Sequence, residues 1–538
     1  MMAPFDYIVA GGGAAGCLLA NRLSSNPAHR VLLLEAGGPS DSIWLKIPVG
    51  YRYTIGNPEF DWCFNGVPEP GLHGRVLKHP RGKTLGGSTA INGMVAIRGQ
   101  AADYDGWRSI GLSGWGWADV LPIFKQHEDY FAGDNENHAS GGEWRVDAPR
   151  MRWPVLDAIK ESAVQAGIAA KEDFNTGDNF GVGPIHVNQK NGCRWSAADA
   201  FLKPARHRPN LVVQTNAVVD QVLMEGRRAT GVTWRQGGVG VSARAAREVI
   251  LAAGALGSPQ ILMRSGIGPT AHLAGHGISV VADRPGVGAN LQDHLQIAMR
   301  YEISNAATLN AHMHSNLAKA GMAAQFALTR RGPLTMAPCQ LGLFARSSPE
   351  VQRADLGYNV LAFSRAGFQA EFDRFPGLTM IVYDLRPSSR GAVRLASKDA
   401  AAAPAICVNY LASERDQSVA ANAIRLTRRI MGQAALARHQ PRERWAGAEV
   451  PSSDEHGLIE VARAIGVSIF HPVGTAKMGL PSDPMAVVDA ELKVIGVQNL
   501  RVIDASVMPT LISGNTATPT LMIAEKGAAL IRQTSQNR

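Results

Sequence analysis

No run in this 538-residue chain approaches 18 apolar residues, so no segment reads as a membrane-spanning helix. Cysteine is scarce. Cys17, Cys63, Cys193, Cys339 and Cys407 make an odd count of five with no CxxC pair, which excludes a disulfide framework and suits a reducing compartment. HExxH and Cys/His clusters at ligand spacing are missing, so no metal site is expected. The opening MMAPFDYIVAGGG has neither a basic n-region nor a cleavage site. A cytoplasmic location follows as the expectation, with at most peripheral attachment to the inner face of the membrane. Lys plus Arg outnumber Asp plus Glu by 54 to 45, a net charge of +9. The basic residues are scattered, with Arg227-Arg228 and Arg330-Arg331 the densest pairs and no interleaved aromatics, which argues against a nucleic-acid partner.

What is present is ordinary globular composition, 45% hydrophobic and 18% charged, in a chain long enough for two or more domains. No repeat explains its 57 glycines; they mark turns. The first cluster is the most informative. Phe5–Ala10 is an apolar run of strand type, Gly11-Gly12-Gly13-Ala14-Ala15-Gly16 fits GxGxxG, and Cys17–Leu23 continues with helical spacing. A second apolar run, Val31–Leu34, ends in Glu35, about 20 residues past the glycines. Gly11 permits the tight turn, Gly13 lets a pyrophosphate approach the backbone, and Gly16 lets helix and strand pack closely. The helix start then offers free N–H groups to phosphate, and Glu35 stands where a carboxylate receives ribose hydroxyls. The chain therefore binds a dinucleotide. The fingerprint alone does not separate FAD from NAD; Glu35 argues only against a 2′-phosphate.

Three further segments narrow the choice. Gly82-Lys83-Thr84-Leu85-Gly86-Gly87-Ser88-Thr89-Ala90-Ile91-Asn92-Gly93 is a second glycine loop, suited to wrap a large planar ligand. Arg247–Ala253 runs as a strand into Gly254, where Ser258 and Pro259 suggest a helix start that Gly266 or Gly268 ends. Leu500–Ile503 is a strand ending in Asp504, and Thr518-Pro519 marks another helix start. Between them lies SIFHPVGTAKMG, residues 468–479, with one histidine, His471, in an apolar setting.

In this order the segments resemble the glucose–methanol–choline (GMC) family of FAD oxidoreductases. Residues 82–105 fit its first signature and 254–268 its second, and HPVGTxxMG and NTxxPT follow as in the family. The resemblance covers nearly the whole chain and is nearest to bacterial choline-dehydrogenase-like and alcohol dehydrogenases. It implies a mixed α/β (α+β) fold. A Rossmann-like FAD domain would be built from residues 1–152, 198–297 and 461–538. A discontinuous substrate domain, an antiparallel sheet with helices, would be built from 153–197 and 298–460.

The resemblance also implies the chemistry. FAD takes a hydride from the carbinol carbon onto flavin N5 while a base takes the hydroxyl proton. The family pattern puts that base at His471 and its partner at Asn515, where many relatives carry a second histidine. An amide can hold the substrate oxygen but cannot take its proton, so His471 is the sole base of the pair. The cofactor would be contacted by Gly11, Gly13, Ala14, Ala15 and Gly16, then by Glu35, Ala36 and Arg81. The second loop would add Gly86, Gly87, Ser88, Asn92, Gly93, Met94 and Val95. Val218, Ala253 and Gly254 come from the middle of the chain, and Asp504, Ala505, Asn515, Thr516 and Pro519 from its end. Asp504 would sit by the ribityl and pyrophosphate region, and the helix near Thr518 would point its N-terminus at the flavin pyrimidine ring, favouring negative charge there. Some relatives attach FAD through a histidine in the first glycine loop; the corresponding position here is Ile91, so FAD is expected to be non-covalent. His73 and His79 are expected to be ordinary surface or loop residues, and Lys477 a solvated side chain.

The expected activity is oxidation of an alcohol, a primary one, to the aldehyde, with a quinone, a carrier or O₂ as electron acceptor. An alcohol oxidase releasing H₂O₂ carries the same residues, and a GMC-fold lyase or decarboxylase is a further alternative. A serine hydrolase at Ser88 is disfavoured, since GxSxG fails at Ala90. Homo-oligomerisation is left open. Within the substrate domain, Asn316–Leu328 reads as a helix that packs a core, and residues 132–138 as a polar surface loop. Val467, Ile469 and Phe470 favour a hydrophobic alcohol over a sugar.

Overall fold

The computed structural model describes residues 4–536. The first three residues of the opening segment and the last two of the chain lie outside the described residues. The architecture is mixed α/β, as expected, and rests on two large sheets, each with its own hydrophobic core.

The first sheet explains why Phe5–Ala10 and Val31–Leu34 are apolar throughout: parallel strands covered on both faces have no wet side. Its parallel strands run in the order Leu211–Gln214, Val31–Leu34, Phe5–Ala10, Val239–Leu251, with Leu500–Val502 on the far edge of the last. Arg228–Gln236 and Ala217–Glu225 extend it as an antiparallel meander from the first half of Val239–Leu251. Helices Ala14–Leu23 and Ala517–Gln536 pack against each other beside it. The ends of Phe5–Ala10, Val239–Leu251 and Leu500–Val502 therefore deliver Gly11, Ala253 and Asp504 to one edge, the place where open α/β sheets bind ligands.

The second sheet is antiparallel, in the order Arg442–Glu443, Leu295–Glu302, Gly377–Asp384, Leu356–Leu361, Leu341–Ala345, Gly181–Pro184. The helix Glu414–Met431 covers it. Ser413 caps that helix by accepting from the Asp416 N–H, and Val419, Ala423, Ile424, Thr427 and Ile430 recur at helical spacing to bury one face. Val467–Ser468 pairs with the start of Leu295–Glu302. That pairing brings the residues before His471 onto the second sheet while the residues after it return to the first.

Several expectations change. The helix after Ala253 begins at Gly254, not at Ser258-Pro259. Gly254 makes the turn with φ +77°, and Ser258, inside the helix, spends its hydroxyl on Asp504 and the Ala253 N–H. The helix ends at Arg264, with Gly266 at φ +79° just beyond. The C-terminal helix starts at Ala517, one residue before Thr518. Asn316–Thr329 is a helix, and it packs the second core only through a narrow face, Met322 being its member of that core. Only Met322 and Phe326, four residues apart, face inward, and Leu317 and Leu328 are each 85% exposed. His79 is buried rather than exposed. His73 does lie at the surface, 3.2 Å from Glu460. Lys477 is partly exposed and holds Asp483 at 2.7 Å. The polar loop 132–138 ends inside the protein, where His138 is buried between Glu128 and Asp173, each at 2.9 Å.

Candidate active site

The two glycine loops touch. Gly86 donates to the Gly12 carbonyl at 2.8 Å, and a side chain on Gly87 would meet the Gly13 Cα at 2.7 Å. The fingerprint glycines divide their work as the sequence suggests. A Cβ on Gly11 (φ +111°) would strike the Ala252 carbonyl at 2.5 Å, and one on Gly16 the Gly11 carbonyl at 1.8 Å. A Cβ on Gly13 would meet nothing nearer than 3.9 Å, so its Cα faces open space at the start of helix Ala14–Leu23. Glu35 folds back on this turn and accepts from the Gly12 and Gly37 N–H groups, both at 2.8 Å. Burial pushes its carboxyl up to about 7, against the pull of those two bonds. Ala36 and Val218 flank it, since the Ala217 N–H bonds the Glu35 carbonyl.

In the second loop, Ser88 Oγ accepts from the Gly82 N–H, and Asn92 accepts from the Met94 N–H and from Arg194 at 2.9 Å. Met94 is left-handed (φ +60°), Gly93 abuts Pro338, and Val95 bridges to Val187. Ile91 is buried. Asp504, also buried, accepts from Gly254 N–H, Ser258 Oγ and Ser506 N–H at 2.6–2.8 Å, so its carboxylate braces the Ala253–Gly254 turn. Ala505 receives the Gly474 N–H, and Thr516 receives Thr520 as the last helix opens around Pro519. Arg81 spends its Nη2 on the Phe470 carbonyl at 2.7 Å, which places it behind the histidine loop.

His471 sits on the chain that crosses between the sheets. Phe470 before it is left-handed (φ +72°), a conformation that a bulky residue adopts only when its surroundings enforce it. The enforcement comes from Ser468 and Arg81 on the Phe470 backbone and from Asp293, which accepts the His471 N–H at 2.7 Å. Gln292 pairs with Val473 in both directions, and Gly474 (φ +90°) makes the turn away. The ring is fixed on both sides. His471 Nε2 is 3.0 Å from Asn515 Nδ2, and His471 Nδ1 is 3.0 Å from Nδ1 of a second histidine, His294. His294 and Asp293 were missed in the sequence. The signal was there: a polar run, Gln292 to His294, leading directly into an otherwise regular strand.

Sequence profiles of the GMC oxidoreductase family match residues 5–296 and 387–524. The chain belongs to this family. It is 39% identical over 523 residues to an oxygen-dependent choline dehydrogenase of Brucella suis, covering 97% of this chain and 94% of the relative. It is also 39% identical to an alcohol dehydrogenase [acceptor] of Pseudomonas putida, covering 98% and 95%. The solved pyridoxine 4-oxidase from Mesorbium loti superposes with a TM-score of 0.88 at 29% identity, covering 99% of both chains. FAD-dependent oxidation of a CH–OH group is thus the activity of this GMC oxidoreductase, and nothing in these relationships supports a lyase. The site fits FAD on its own terms. Gly13 leaves its space open, and Thr518 Oγ, in the first turn of the last helix, is buried without a partner.

Burial depresses the basicity of His79, His127 and His294 to about 4 each, and that of His471 well below the ordinary value. The unfolded chain takes up protons near pH 6.5 and the folded one, at His79, His127 and His294, only near 4, so stability falls as pH drops through that window. Each such histidine contributes roughly 1–2 kcal/mol per pH unit there. Thermal melts between pH 7 and 4.5 are expected to show a steep loss of Tm; a flat profile contradicts these neutral histidines.

Proposed function

We propose that His471 Nε2 is the general base for alcohol oxidation and that Asn515 Nδ2 holds the substrate oxygen. The observation that carries this reading is the pair itself: one nitrogen fit to take a proton and one amide donor, 3.0 Å apart, in a pocket that keeps the imidazole neutral. When bound, FAD accepts the carbinol hydrogen as two electrons and a proton. The chain's own residues do the rest. A bound alcohol takes the place of the direct Asn515–His471 bond: it donates its O–H to Nε2 and receives the Asn515 N–H. Asp293 and Arg81 hold the backbone that presents the ring. The helix Ala517–Gln536 begins two residues after Asn515, which supports a role for its open N–H groups in favouring negative charge near the alcohol. Glu35, the Gly11–Gly16 turn and the second glycine loop would hold FAD without a covalent link, Ile91 offering no attachment atom.

A primary alcohol with an apolar body is the substrate we propose; half-buried Ile469 and Phe470 beside the base support it. The name of the Pseudomonas putida relative, alcohol dehydrogenase [acceptor], supports a quinone or carrier as acceptor, while the oxygen-dependent choline dehydrogenase and the pyridoxine 4-oxidase support O₂ as the alternative. The two-domain division at residues 1–152, 198–297 and 461–538 against 153–197 and 298–460 is supported by the two separate cores, although strand Leu295–Glu302 runs through one of its boundaries. A basic net charge of +9 supports at most peripheral contact with an anionic membrane face.

The test is an anaerobic screen of flavin bleaching over aliphatic, aromatic, polyol and quaternary-amine alcohols, repeated in air with H₂O₂ detection. Bleaching by apolar primary alcohols, with slow reoxidation in air, is expected; rapid H₂O₂ release would make the enzyme an oxidase. Asn515→Ala is expected to slow bleaching about tenfold, the worth of one hydrogen bond, while FAD content stays unchanged.

A further inference from the structure

We infer that His294 sets the tautomer of His471, holding its proton on Nδ1 and leaving Nε2 as a bare lone pair facing Asn515 and the reacting alcohol. This rests on His471 being the base. It makes His294 a positioning residue, since it acts only through His471.

The argument runs from the far end of a hydrogen-bond chain. The Leu385 carbonyl can only accept, and His294 Nε2 lies 3.0 Å from it, so His294 Nε2 carries a proton. A neutral imidazole has a single N–H, so His294 Nδ1 is bare. Its partner at 3.0 Å is His471 Nδ1, and two bare nitrogens would repel, so His471 Nδ1 must be the donor. His471 Nε2 is then the acceptor, and it meets Asn515 Nδ2, a group that can only donate, at 3.0 Å. Three donors therefore point one way, from Asn515 to His471 to His294 to Leu385. The Leu385 carbonyl fixes one end, and the Asn515 amide, with its Nδ2 toward the ring, agrees with it at the other.

The charged neighbours make no hydrogen bond to the ring nitrogens of the chain. Asp293 lies next to both rings, but its oxygens accept from the His294 and His471 backbone N–H groups, Tyr410 Oη and Ser468 Oγ. Arg81 is turned to the Phe470 carbonyl. Tyr383 meets the His294 ring face at 5.3 Å. His294 is wholly buried, and burial disfavours the doubly protonated form that would reverse the chain. The order also suits turnover. An alcohol proton arriving at Nε2 leaves the Nδ1–H bond to His294 in place, so nothing behind the base has to rearrange.

The test uses the FAD-loaded enzyme with ¹⁵N-labelled histidine, His471 being assigned by the signals lost in His471→Ala. The wild type is expected to show Nδ1 protonated and Nε2 bare. His294→Leu removes the acceptor; His471 should then sample both tautomers, and anaerobic flavin reduction at saturating alcohol should slow about 100-fold, with little change in the alcohol concentration needed for half-saturation. His294→Asn restores a carbonyl acceptor and should recover most of the rate and the single tautomer. A wild-type His471 protonated on Nε2 would overturn the inference, and so would a folded, FAD-loaded His294→Leu with unchanged tautomer and rate. If His294→Leu does not fold, the wild-type spectrum decides alone. Full activity in His471→Ala would sink the base reading and leave the tautomer assignment standing, so the two failures are separable.

Discussion

Replacing His471 with alanine is expected to leave a yellow, folded flavoprotein whose flavin is reduced by alcohol 10²–10⁴-fold more slowly. The retention of FAD follows from the geometry. The bond that seats this part of the loop runs from the His471 backbone N–H to Asp293, and alanine keeps it. The glycine loops and Glu35 touch neither ring nitrogen. What is lost, on the proposed reading, is the base: Asn515 is an amide, and His294 is inferred to turn its bare nitrogen to His471 and its N–H to Leu385. Loss of flavin on purification would mean instead that the ring props the cofactor site.

The second large effect separates two glycines three residues apart. Gly13→Val is expected to give a folded protein without FAD. Gly13 has φ −77°, open to any residue, and a Cβ there meets no protein atom closer than 3.9 Å, so a side chain starts without a backbone clash. The space it fills is the one through which a pyrophosphate would approach the helix N-terminus. Gly16→Val is expected to fail earlier, as poor folding, because its Cβ would lie 1.8 Å from the Gly11 carbonyl and no side-chain rotation relieves a backbone clash. Circular dichroism with the ratio of flavin to protein absorbance distinguishes the outcomes; a Gly13→Val protein purified with full FAD would show that the cofactor does not pass this turn.

The first sheet and its glycine turn were legible in the sequence because their constraints are local: a strand, a turn and a helix within some thirty residues each demand particular side chains. His471 was legible only through the ordered motifs around it. Its partners were harder. Asp293 and His294 lie far away in sequence and reach it because Val467–Ser468 pairs with Leu295–Glu302, a register that no local pattern announces. The Ser258-Pro259 pair misled for a related reason. It has the composition of a helix start, but a long-range bond from Ser258 to Asp504 lets the helix begin at Gly254. The helix Asn316–Thr329 packs through a narrower face than its composition suggests: its alanines carry no polar marker of exposure, and its inward face is only two residues wide. His79 and Lys477 depended on neighbours that only the fold supplies.

The most direct measurement of the central claim is the anaerobic rate of flavin reduction by a saturating alcohol from pH 5 to 9, in wild type and His471→Ala at equal FAD content. With a buried, neutral His471 as base, the wild-type rate should stay level below pH 6.5, while the variant should be slower throughout and rise with pH as the alcohol has to lose its proton unaided. A variant that matches the wild type in rate and in pH profile would contradict the account.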